Sequence, residues 1–90
     1  MQPQPAIAII RRLVRIAQLL QDEPHTCSML APLIGCSIKQ IRRDLIVLQD
    51  AGVPIESKRL PGVAAEIEYR LAKRWSLHKW LWAYATADES

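Results

Sequence analysis

The stretch TCSMLAPLIGCSIKQIRRDLIVLQDAGVPIES, Thr26–Ser57, decides how this chain is read. Thr26 has the hydroxyl of a good helix N-cap, and Met29, Leu30, Leu33 and Ile34 follow as the apolar residues of a short helix. Gly35 stands where a left-handed C-terminal cap is wanted, although Pro32 inside the same segment argues for a late start or a kink. Gly35-Cys36-Ser37 then forms a three-residue turn, and Ser37 caps a second helix that Gly52 stops at about Ala51. On a 100° wheel Ile41, Leu45 and Leu48 share one side with Ile38 beside them. Lys39 and Arg43 fall opposite, and Cys36 and Gln40 lie at the margin, so the free edge near the helix start is basic.

Upstream, Ile10, Leu13, Val14, Ala17 and Leu20 recur at helical spacing, with Ile9 and Ile16 widening the stripe. Arg11, Arg12, Arg15 and Gln18 take the other face of this leading helix, which Pro24 ends. Residues 1–5, with Pro3 and Pro5, are expected to form a flexible arm. Downstream of Gly52 the period changes to two. Val53 and Ile55 alternate with Pro54 and Glu56, and Ile67, Tyr69 and Leu71 alternate with Glu66, Glu68 and Arg70. That pattern predicts a hairpin, with Lys58, Arg59 and the turn signal Pro61-Gly62 in its connection. Residues 73–86 return to helical spacing, with Leu77, Trp80, Leu81 and Tyr84 in a stripe and Trp75 on a neighbouring line.

Ninety residues with 50% hydrophobic composition make one globular domain with a small core, in which a buried catalytic network would be costly to house. The apolar runs are far shorter than the roughly 20 residues a membrane span needs, and the Met1–Ala6 start lacks a signal-peptide layout, so a cytoplasmic, nucleoid-associated protein is expected. Cys27 and Cys36 have no C-x-x-C partner and no histidine pair at zinc spacing, which points to small buried thiols rather than to a metal or redox site. His25 and His78 have no accompanying nucleophile arrangement, so no enzyme activity and no cofactor are expected. A net charge of +3 suits an anionic partner only if the basic clusters converge on the fold.

The order of helix, helix, tight turn, helix and basic hairpin predicts an α+β winged helix-turn-helix of three helices, a two-stranded β-wing and an additional C-terminal helix. The residues Leu30-Ala31, Leu33-Ile34-Gly35, Ser37, Ile41-Arg42-Arg43-Asp44-Leu45, Leu48 and Ala51-Gly52-Val53-Pro54-Ile55-Glu56-Ser57 resemble the N-terminal domain of DeoR-like regulators and of their relatives that carry a WYL domain. The resemblance covers about residues 7 to 72. It implies prokaryotic or phage transcription control, with the Ser37 helix in the major groove of double-stranded DNA and the wing at Lys58–Gly62 beside it.

On this reading residues 6–72 form the DNA-binding domain. Lys39 and Gln40, in the first turn, are the candidates for base reading, guanine for Lys39 and adenine for Gln40. Arg43 reaches a base or a phosphate, with phosphate favoured by general contact frequencies. Ser37 and Thr26 can present hydroxyls and helix-start amides to phosphates, and capping explains both equally well. Arg42 joins the candidate contacts but also suits plain surface beside Asp44, and Lys58 and Arg59 suit groove or phosphate contact as well as ordinary solvation. The Trp75–Tyr84 stripe can cover the domain's own core, form a homodimer seam or dock another protein. The dimer is preferred because Ile46 and Val47 also point away from the core and need cover. An architectural or excision factor and a winged-helix protein-interaction module are the alternatives, and with no effector domain following, a small-molecule effector is unsupported.

Overall fold

The computed structural model describes residues 5–62 and 66–72. Residues 1–4, 63–65 and 73–90 lie outside the described residues, and with them all but Pro5 of the expected arm at residues 1–5 and the whole of the expected C-terminal helix at 73–86. Within them the order is α1 (Ala6–Asp22), β1 (His25–Thr26), α2 (Cys27–Ile34), α3 (Ile38–Asp50), β2 (Ile55–Arg59) and β3 (Ile67–Leu71). The architecture is the α+β winged helix-turn-helix that the sequence predicts.

The three helices and the base of the hairpin close over one core. Ile16 and Leu20 of α1, Leu30 of α2 and Ile41 of α3 are its fully buried centre, and Leu45, Leu48, Val53 and Leu71 complete it. The buried stripe of α1 differs from the expected one. Ile10 is 58% exposed, and burial is complete only at Ile16, Ala17 and Leu20. The first turns of α1 thus carry no buried residue, and its packing against the core begins at its middle turn. Ile38, expected beside the core, is also exposed on α3. Helix α2 runs through Pro32 without interruption, and Pro32 itself faces solvent.

The sheet has one strand more than the two-stranded wing predicted. His25 and Thr26 pair antiparallel with Tyr69 and Glu68, which makes β3 the central strand of an order β1-β3-β2. A two-residue strand has no alternation to detect, so only the fold exposes it. His25 is buried, and its Nδ1 donates to the Glu23 carbonyl at 2.7 Å, fixing the corner between α1 and β1. In the hairpin Ile55 pairs with Leu71, Ser57 with Tyr69 and Arg59 with Ile67. Lys58 and Arg59 therefore belong to strand β2, not to the connecting loop, and the Leu60 amide bonds the Glu66 carbonyl at 3.0 Å to close the ladder beyond them.

Candidate nucleic-acid interface

Two caps set the angle between α2 and α3. The Thr26 hydroxyl accepts a hydrogen bond from the Met29 amide at 3.2 Å and starts α2. Gly35 ends α2 at φ +85°, a left-handed conformation that glycine adopts without steric penalty. The amides of Gly35 and Cys36 both donate to the Ala31 carbonyl, at 2.8 and 3.1 Å, a Schellman-type closure that reverses the chain within one residue of the next cap. There the Ser37 hydroxyl accepts from the Gln40 amide at 3.1 Å and starts α3.

With Ile41, Leu45 and Leu48 turned inward, α3 presents Lys39, Arg42 and Arg43 to solvent. Among the described residues neither Lys39 nor Arg43 makes an ion pair. Arg42 points to a shallow groove between α3, the start of α2 and the wing, where Ser28, Ile38, Ile67 and Tyr69 are its neighbours. The Ser28 hydroxyl donates to Glu66 Oε1 at 3.0 Å across that groove, linking the start of α2 to the wing. Burial pushes the Cys27 thiol and the Tyr69 hydroxyl up from their ordinary pKa ranges, with the Arg42 charge opposing the shift at each. Cys36 is also raised, by burial and then by the nearby Asp44 carboxylate.

Asp44 is the residue that sequence reasoning placed wrongly. It is 2% exposed, not surface beside Arg42, and its carboxylate holds the guanidinium of Arg12 through Nε at 2.6 Å and Nη2 at 3.1 Å. Arg12 is correspondingly drawn inward, with 14% of its side chain exposed, instead of standing on the outer face of α1 with Arg11 and Arg15. The Asp44 hydrogen bond is the main cause that raises the Arg12 pKa further, against the desolvation that lowers it. Gln40 completes the cluster by donating Nε2 to Asp44 Oδ1 at 2.9 Å. On the wheel Asp44 falls just outside the arc of Ile41, Leu45 and Leu48, about 40° beyond Leu48 on the side of Gln40, so periodicity leaves it at the margin. Its partner lies 32 residues away, beyond the reach of periodicity.

The other expected contacts divide. Ser37 is exposed at the front of α3 and Thr26 is 4% exposed, and the hydroxyl of each accepts the cap hydrogen bond of its helix. Cross-strand partners share a sheet face. Lys58 opposes Glu68 on the outer face, next to the Arg70–Glu56 ion pair at 3.1 Å. Arg59 opposes Ile67 on the face that carries Tyr69 and Leu71 toward the helices. Trp75, Leu77, Trp80, Leu81 and Tyr84, the expected dimerisation residues, lie outside the described residues.

Two capped helices at a tight turn, a basic outer face on the second and an antiparallel wing define a winged helix-turn-helix DNA-binding domain. A family model described as HTH domain matches residues 11–64, more than half of the chain, and the chain belongs to that family. The match runs from α1 through the hairpin, the same elements that build the interface. No curated protein and no solved structure gives a significant match. No helix among the described residues is long and apolar enough to cross a membrane.

Proposed function

We propose that this protein is a sequence-specific regulator of transcription, a repressor of prokaryotic or phage type, that places α3 in the major groove of double-stranded DNA. The observation that carries this reading is the outer face of α3, where Lys39 and Arg43 stand exposed and without ion-pair partners among the described residues, on a helix-turn-helix domain. Lys39 and Gln40 read base edges from the first turn. Arg43 holds phosphate, and Ser37 presents its hydroxyl to the backbone beside it. Arg42, which lines the groove between α3 and the wing, and Arg59, which opposes Ile67 on the same sheet face, take the neighbouring phosphates. Lys58, which faces Glu68 across the ladder, contributes less. The resemblance of Ser37–Ser57 to DeoR-like regulators supports transcription control over a purely architectural role.

The working unit on this reading is a cytoplasmic, nucleoid-associated homodimer, joined through residues 73–86 with Trp75, Leu77, Trp80, Leu81 and Tyr84 in the seam. The exposure of Ile46 and Val47 on the later turns of α3, large apolar residues that need cover, supports self-association. Two half-sites would then lie about 34 Å apart on one duplex face. Selection from random duplexes, followed by mass measurement of the complex, tests the reading. The expected result is a two-fold symmetric site bound by two chains, with Lys39→Ala weakening specific binding more than binding to random DNA. Absence of salt-dependent retardation of duplex DNA at low ionic strength would refute it in favour of a protein-interaction module.

A further inference from the structure

The geometry points to Gln40 as a one-way reader: we infer that Asp44 fixes the Gln40 carboxamide so that it recognises the exocyclic amino group of a base, adenine N6 or cytosine N4, through Oε1. The inference rests on the proposed placement of α3 in the major groove. A glutamine side chain is normally ambidextrous, since its carboxamide rotates to offer either its oxygen or its NH₂ to a base edge. Here one end is committed. Gln40 Nε2 donates to Asp44 Oδ1 at 2.9 Å, and a carboxylate can only accept, so turning the amide over would set Oε1 against a negatively charged oxygen.

Asp44 cannot move aside to permit the flip. It is buried, and both of its oxygens are held by the Arg12 guanidinium of another helix. Arg12 and Asp44 are therefore positioning residues, and Gln40, half-buried at the third position of α3, is the group they aim. Oε1 is the end of the carboxamide with no hydrogen bond among the described residues, and it is an acceptor. An acceptor meets a base amino group favourably and repels guanine O6, thymine O4 and purine N7, which are acceptors themselves.

The test compares wild type with Gln40→Ala, which leaves the Arg12–Asp44 pair in place. Selection from random duplexes is expected to show one position whose preference is present in wild type and lost in Gln40→Ala, with the other positions unchanged. At that position the amino group is then deleted, by purine in place of adenine or 2-pyrimidinone in place of cytosine. Wild type is expected to lose roughly 5- to 150-fold in affinity, the span of one good base contact, and Gln40→Ala to lose nothing. Replacing the purine N7 of the same pair by carbon is expected to change neither protein. Asp44→Asn, whose amide can accept or donate, is expected to relax the preference at that position alone.

Preferences identical in Gln40→Ala and wild type overturn the inference while the DNA-reading function stands. Equal losses in both proteins on deletion of the amino group, or a loss specific to the N7 substitution, overturn it as well. A wild type without any sequence preference overturns both the inference and the proposed function. Should Asp44→Asn fail to fold, the base-analogue comparison with Gln40→Ala still decides.

Discussion

Truncating Arg12 to alanine removes the guanidinium from the Asp44 carboxylate, which is 2% exposed in the intact protein, and leaves Gln40 as its one side-chain hydrogen-bond partner among the described residues. A charge buried and stripped of its partner costs about 3–5 kcal/mol, against roughly 0–1 kcal/mol for an exposed pair. The side chains of this pair are 14% and 4% exposed, which places it with the buried class. A chain of 90 residues has a total stability on the order of 5–13 kcal/mol, so Arg12→Ala is expected to remove a large share of it. With a urea slope of about 1 kcal/mol/M for a domain this small, the unfolding midpoint followed by far-ultraviolet circular dichroism should fall by about 3 M or more. The double variant Arg12→Met/Asp44→Leu removes both charges and keeps apolar volume. It should recover most of that loss, because replacing a whole buried pair is commonly neutral or stabilising. An Arg12→Ala midpoint within about 1 M of wild type would refute the reasoning and return the pair to the surface class.

Other perturbations separate the parts of the fold. Arg59→Ala is expected to weaken DNA binding and flatten the salt slope by about one, and Lys58→Ala to do less, measured by fluorescence anisotropy across a salt series; the reverse order would contradict the strand faces. Gly35→Ala finds open space for its Cβ but must hold φ +85°, so a loss of about 1–2 kcal/mol in chemical denaturation is expected from backbone strain alone. Leu30→Ala, at a fully buried site, should cost about 2–5 kcal/mol in the same assay, whereas Leu33→Ala, on the exposed side of α2, should fall within about 0.5 kcal/mol of wild type.

How far the sequence is legible follows the range of the forces involved. The limits and core stripe of helix α3 could be read, Ile38 and Asp44 excepted, because its cap at Ser37, its stripe of Ile41, Leu45 and Leu48 and its stop at Gly52 are all local signals. Both helix caps and the tight turn between them were readable for the same reason. The end of the wing was not. Ser57-Lys58-Arg59 extends past the core, so no face of that segment carries an apolar mark, and only the ladder to β3 shows that it is strand. The exposed start of α1 was misread because periodicity reports which residues share a face and not how far along the helix a neighbour covers that face. In the candidate interface, the bases on α3 were visible as a pattern, but the cross-helix pair that holds Gln40 was not, since nothing local connects Arg12 to Asp44.

The short strand at His25–Thr26 has a consequence for how another chain could add to the sheet. By occupying part of one side of β3 while β2 occupies the other, it leaves the outer margin of β2 as the longer open strand edge of the described sheet. That margin is lined with Glu56, Lys58 and Arg59, and charged side chains along an exposed strand discourage another chain from adding to the ladder. Backbone zippering along that margin is thereby disfavoured.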